Sequence, residues 1–91
     1  MNWHIYIIQN QRGTLYTGIT NDPERRLEEH NGSRRGAKAT RVGRPWTLLY
    51  LEPSVTRSSA AQREYEIKMM TRAQKLALIQ AHGQIEKVRR N

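Results

Sequence analysis

The side chains of this 91-residue sequence whose types and spacing could do chemistry together are two phenols, an arginine, an imidazole and a carboxylate: Tyr6, Tyr16, Arg26, His30 and Glu64. Tyr6 sits in His4-Ile5-Tyr6-Ile7-Ile8, and Tyr16 opens Tyr16-Thr17-Gly18-Ile19-Thr20. Asn10-Gln11-Arg12-Gly13 between them reads as a hairpin turn. Even spacing combined with an odd-length loop puts both phenols on one sheet face. A loop of Gln11, Arg12 and a left-handed Gly13 meets that condition. Such a pair either packs across the strands or opens a reaction centre. Arg26 and His30 fall one turn apart on a helix face and directly follow the second strand, which brings them near Tyr16 and Gly18. The plainer alternative is a solvated basic helix, with Arg25 and Arg26 paired to Glu28 and Glu29. Glu64 shares a helical stripe with Ala60, Ile67 and Thr71. A carboxylate on a largely apolar stripe needs an arginine, a metal or hydrogen-bond donors. A structural ion pair, or a boundary residue reaching solvent, would also satisfy it.

The elements that must position these groups are readable from caps and periodicity. Trp3 to Gln9 and Thr14 to Thr20 read as paired strands, with Gly13 and Gly18 as structural turn glycines. Asn21-Asp22-Pro23-Glu24 predicts a helix start, and that helix runs to His30, ended by Asn31-Gly32. Ser33 to Pro45 is a basic loop. Trp46 to Glu52 is a third strand, stopped by Pro53. Ser58 or Ser59 caps a second helix, with Ser59-Ala60-Ala61-Gln62 as a capping box, running to about Met70. Thr71 caps a third helix from Arg72 to Ala81, stopped by His82-Gly83, with Leu76, Leu78 and Ile79 on its buried side. The order is ββαβαα. The expected fold is α/β (α+β): a small three-stranded antiparallel or mixed sheet flanked by helices, one domain over residues 1–83 with a basic tail at 84–91.

Sixteen Lys and Arg stand against eight Asp and Glu, a net charge of +8, and twelve of the sixteen are arginine. Arginine's planar fork suits bidentate phosphate contacts, so a polyanionic partner is expected, most simply nucleic acid. Arg34, Arg35, Lys38, Arg41 and Arg44 fall in one acid-free loop whose glycines let the backbone approach phosphates. Arg12 and Arg25 could add phosphate contacts. Trp3 and Trp46 read as core anchors. The sequence has no cysteine, which excludes disulfides, thiolate zinc sites and a cysteine nucleophile. Ile5 to Ile8 is too short for a signal peptide, and no run reaches membrane-spanning length. A soluble, cytoplasmic protein without membrane contact is expected.

Ile5-Tyr6, then Tyr16-Thr17-Gly18 ten residues on, Arg26 in the next helix and Glu64 in a later one resemble the GIY-YIG nuclease domain. The chain is most similar to a small bacterial stand-alone subfamily containing little besides that domain. The resemblance spans about residues 3–80 and includes Arg63-Glu64-Tyr65-Glu66-Ile67-Lys68 and Gln74-Lys75-Leu76. His4 replaces the first glycine of the motif, and Thr17 replaces the middle isoleucine of the second. Ile19 and Asn21 stand where incision enzymes of excision repair can carry a lysine. An asparagine seen in some members beyond the glutamate has no counterpart.

This resemblance implies a divalent-metal-dependent endonuclease acting in DNA repair or processing, with DNA favoured over RNA. Glu64 and water would hold one ion, magnesium or alternatively manganese, and Arg26 would clamp the phosphate oxygens. Tyr6 and Tyr16 would position the attacking water or take its proton. A phenol near pKa about 10 needs neighbouring cations to act as a base. His30 could orient the nucleophile or be the base itself, and the choice stays open. Two alternatives accompany this reading: a non-catalytic nucleic-acid-binding module, and a subunit that needs a homodimer or another protein partner for substrate choice.

Overall fold

Ile5-Tyr6-Ile7-Ile8 offers no polar face, and such a run is stable only where both sides of a strand are covered. In the computed structural model, which describes residues 2–32, 40 and 43–82, these four residues are buried in the central strand of the sheet. Strand β1 (Trp3–Asn10) pairs with β2 (Leu15–Thr20) on one side and β3 (Trp46–Ser54) on the other. Both pairings are antiparallel, so the sheet is not mixed. The order ββαβαα is as expected. Arg34, Arg35, Lys38 and Arg41 of the basic loop, Gly83 and the tail at 84–91 lie outside the described residues.

The hairpin closes as its residues dictate. Gly13 is left-handed at φ +86°, and the Asn10 carboxamide oxygen accepts from the backbone of Arg12 at 3.0 Å and Thr14 at 2.9 Å. The register sets Tyr6 against Gly18 and Ile8 against Tyr16, so both phenols share a face. Gly18 is therefore a mid-strand residue and not part of a turn. Between Ile7 and Ile8 the pairing with β3 shifts by one residue, leaving Leu49 as a bulge. Trp46 and Leu48 consequently cluster with Tyr6 and Ile8, while Tyr50 packs with Ile5 and Ile7 on the opposite face.

One helix covers the first face and two cover the second. In α1 (Pro23–Gly32) the Asp22 carboxylate caps the first turn, accepting from Arg25 N at 3.2 Å. This helix runs two residues past His30, and Asn31 inside it bonds both backbone groups of Trp46. Leu27 packs against Tyr6, Ile8 and Trp46. Ala60 and Ile67 of α2 (Arg57–Lys68) and Ile79 of α3 (Arg72–Ala81) fill the other core. No described helix is long and apolar enough to cross a membrane.

Four local expectations are corrected. Strand β3 continues through Pro53 to Ser54, because an edge strand has one row of backbone donors that needs no partner. The α2 cap is Thr56 rather than Ser58 or Ser59: its hydroxyl accepts from Ser59 N at 3.0 Å, and Ser59 Oγ accepts from Thr56 N at 3.3 Å. The helix stops at Lys68, earlier than Met70. In α3 the Thr71 cap is as expected, but Leu76 is 40% exposed and the inward stripe runs through Lys75, Leu78 and Ile79. Replacing Thr56 by alanine is expected to cost about 1 kcal/mol in urea unfolding, the usual value of a lost cap.

Candidate active site at the free edge of the sheet

Strand β2 is an edge strand, so a group on central β1 must cross it to reach solvent beyond. Tyr6 crosses at Gly18, where a Cβ would stand 2.5 Å from the phenolic oxygen and 2.6 Å from Cζ. On α1, Arg26 and His30 meet the hydroxyl. His30 Nε2 lies 2.7 Å from it, and the Arg26 guanidinium acts on it as a favourable positive neighbour. The second imidazole nitrogen, Nδ1, is 2.5 Å from Thr40 Oγ1, and His30 has no exposed surface. Tyr16 stands edge-on to the imidazole, with ring centres 5.3 Å apart, and lies 6.4 Å from Tyr6 and 6.5 Å from Trp46. Trp46 Nε1 donates to the Thr40 carbonyl at 2.9 Å, and Arg44 Nε donates to the His30 carbonyl at 2.6 Å.

Glu64 approaches from α2, on the other side of the same edge strand. Its side chain is 22% exposed and pairs with Lys68 Nζ at 3.3 Å, one turn on. The partner is a lysine of the same helix, not an arginine. Glu64 reaches the Tyr6 cluster through its charge, which acts on the phenol. Arg25 and Arg26 both pair with Glu29, at 3.8 and 2.8 Å, instead of dividing between Glu28 and Glu29. Arg12 is exposed at the hairpin tip, away from the cluster.

The model of the GIY-YIG catalytic domain matches residues 2–77. The chain belongs to the GIY-YIG family. Relatives include a UPF0213 protein of Desulfotalea psychrophila, 48% identical over 87% of this chain and 72% of its own length. Another, from Halobacterium salinarum, is 49% identical over 82% of this chain and 96% of its own. Among solved structures, the UPF0213 protein BH0048 of Bacillus halodurans aligns with a TM-score of 0.59 at 36% identity, covering 91% of this chain and 87% of that one. A protein of E. faecalis aligns at 0.61 and 35% identity, covering 90% and 88%.

Donor counting orders the protons of this GIY-YIG site. Arginine only donates, so toward Arg26 the Tyr6 oxygen can only accept, which leaves the phenolic proton free for His30 Nε2 when the imidazole accepts there. In that tautomer the neutral imidazole carries its one proton on Nδ1 and donates it to Thr40. Electrostatics agrees with this assignment. Burial, then the charges of Arg26 and Arg44, push His30 down to about 4, with Glu29 opposing. Burial pushes Tyr6 up to about 12 against the Arg26 hydrogen bond, and Tyr16 and Glu64 add to the rise. Burial works against the Arg26 charge, but hydrogen bonds to Glu29 and Tyr6 outweigh it and raise its pKa. Tyr6 therefore lacks the lowered pKa that a tyrosine base requires.

A buried neutral histidine couples folding to pH. The unfolded chain binds a proton near pH 6.5 and the folded one only near 4, so stability rises with pH across that window. Stability should be full above about pH 6.5 and fall by about 3 kcal/mol on acidification toward pH 4. Urea titrations across this range should show the slope, and His30→Gln should flatten it.

Divalent-metal chemistry, general in this family, needs a ligand set that fits. Among the described residues no three His, Cys, Asp or Glu side chains gather into a cage. Glu64 offers one partly exposed carboxylate, which suits a hard cation that keeps several waters, as magnesium does. When bound, such an ion supplies charge stabilisation to the phosphate and the leaving oxygen.

Thr40 is the site residue that sequence reasoning missed. It lies in the arginine- and glycine-rich segment read only for charge, and no periodicity marks a lone hydroxyl that meets a histidine ten positions away.

Proposed function

We propose that this chain is an endonuclease that hydrolyses phosphodiester bonds in DNA, with Tyr6, Tyr16, Arg26, His30 and Glu64 in its site and magnesium as the ion at Glu64. The observation that carries this reading is the convergence on Tyr6. A phenol, an imidazole and a guanidinium share hydrogen bonds at a free sheet edge, and the charge of Glu64 acts from across the strand. Arg26 donates to non-bridging phosphate oxygens as their charge grows. A water beside Tyr6 passes its proton to the phenolic oxygen while the phenol passes its own to His30 Nε2, so no free phenolate is needed. Phosphate bound at Arg26 offsets one of the charges that depress His30, which makes the imidazole more basic when substrate is present. Thr40 holds the acceptor tautomer.

Repair or processing of DNA in the cytoplasm is the setting that fits this activity. The test is a magnesium- or manganese-supplemented cleavage assay on single-stranded, duplex and branched DNA and on RNA. The same reactions are run with chelator and with a Glu64→Ala protein as the blank for contaminating nuclease. Metal-dependent multiple turnover by the parent alone supports the reading; equal turnover by the blank removes it. One observation favours a second reading, a non-catalytic nucleic-acid-binding module: the Glu64–Lys68 pair already satisfies the carboxylate. That module would bind with steep salt dependence and never turn over. Light scattering with and without DNA separates a monomer from a homodimer or a partner-dependent subunit.

A further inference from the structure

A lysine stands where a helix ordinarily turns apolar side chains toward its sheet, with an exposed arginine just before it. Arg72, Lys75 and Ile79 fall three and four residues apart on one stripe of α3, and Ile79 lies in the core. Lys75 is half-buried. Arg72, Lys75, Thr14 and Leu15 line a cavity of about 290 Å³ between the first turn of α3 and the start of β2. The Arg72 guanidinium is placed by the hairpin: a Cβ on Gly13 would stand 3.4 Å from its Nη2.

Charge accounting sets this pair, together with Arg12 at the exposed hairpin tip, apart from the neutralised cations. Arg25, Arg26, Arg63 and Lys68 each have a carboxylate within 4.0 Å. Arg44 donates to the His30 carbonyl, and Arg57 lies over the Trp3 ring. Neither Arg72 nor Lys75 has an acidic partner among the described residues. Two like charges within one helical turn repel by a few tenths of a kcal/mol. Lining one cavity, they form a concave site of two positive charges whose anion must come from outside. A guanidinium fork, an ammonium and the Thr14 hydroxyl suit a tetrahedral phosphate oxyanion.

We propose that Arg72 and Lys75, with Thr14, form a phosphate-binding pocket that grips the nucleic-acid backbone away from the scissile bond. This rests on the endonuclease reading for its polymer and on the cavity alone for its chemistry. Thr14 lies four residues from Gly18, about 13 Å along the strand, or about four nucleotide rises. Contacts to the sugar-phosphate backbone carry no sequence information but set register. The pocket therefore holds the substrate in line while Tyr6 and Arg26 address one phosphate.

The test compares Arg72→Gln/Lys75→Gln with the parent in duplex-DNA binding under chelation, across a salt series. Arg57→Gln, at the opposite end of β1, serves as the control for lost charge. Two phosphate contacts contribute about 1.8 to the slope of log affinity against log salt. The double variant should lose that much slope and about tenfold affinity at moderate salt, while Arg57→Gln leaves the slope unchanged. A parent that binds and cuts duplex, with a slope the double variant shares, overturns the pocket and leaves the endonuclease reading intact. A second arm titrates inorganic phosphate by amide NMR. Shifts at Thr14 and Arg72 in the parent, absent from the double variant, support the pocket even if no nucleic acid binds; in that case the endonuclease reading falls. No shift at either residue, together with an unchanged slope, removes the proposal.

Discussion

Cleavage by the Glu64→Ala protein is expected to fall at least about a thousandfold below the parent, while its affinity for duplex DNA stays within about twofold. The two expectations come from different parts of the molecule. In the proposed function Glu64 anchors the divalent ion, so removing it would take away that anchor and the charge stabilisation the ion would supply. Affinity is carried by cations, and the substitution deletes none; it frees Lys68, its present partner at 3.3 Å. The fold should hardly respond, because a partly exposed i,i+4 pair contributes about 0.3–0.5 kcal/mol. Glu64→Gln keeps the shape and loses the charge, and should be as inactive as alanine if the carboxylate holds a cation. Chelation of the parent should reproduce the same loss. Parental rates from the Glu64→Gln protein would assign Glu64 a hydrogen-bonding role and move the ion elsewhere.

The second large effect belongs to a residue with no side chain. Gly18→Ala places a methyl group 2.5 Å from the Tyr6 oxygen and 2.6 Å from Cζ. The ring is 4% exposed and its hydroxyl is bonded to His30, so it has little freedom to yield. Overpacking of this kind costs about 1–3 kcal/mol, and a displaced phenol also leaves His30 Nε2 without its donor. A stability loss of about 3 kcal/mol is expected in urea unfolding, with cleavage reduced about a hundredfold or more under conditions where the variant is folded. Tyr6→Leu in the Gly18→Ala background should restore much of the stability and none of the activity. Strict additivity of the two substitutions in stability would show that they do not share the contact.

Legibility from sequence followed the range of the interaction. The hairpin, its left-handed Gly13 and the shared face of Tyr6 and Tyr16 were readable because turn chemistry and period-two alternation are local. The Thr71 cap was readable for the same reason. Thr56 was passed over because two serines stand within the next three positions, and only backbone direction decides which hydroxyl caps. Pro53 misled because its effect depends on whether the strand is central or at an edge, which is a property of the assembled sheet. Leu76 misled because Leu76, Leu78 and Ile79 fall within four consecutive positions of α3 and cannot all face inward, so packing chooses between them. At the site, residue types and helical spacing brought Arg26 and His30 together in advance. Thr40 was invisible, since its contact with His30 is made by tertiary packing. The protonation order could not be read either, because burial sets it.

The bulge at Leu49 decides how this chain can tolerate change. It acts as a frame correction: upstream of it, even-numbered residues of β3 serve the aromatic layer, through Trp46 and Leu48. Downstream, the even-numbered Tyr50 serves the opposite layer. Removing that one residue would put the two halves of the strand in a single frame and send a whole set of side chains to the wrong layer. Point substitutions at Leu49 should be absorbed locally, whereas a deletion there is an edit to the architecture that seats Trp46 beside Tyr16.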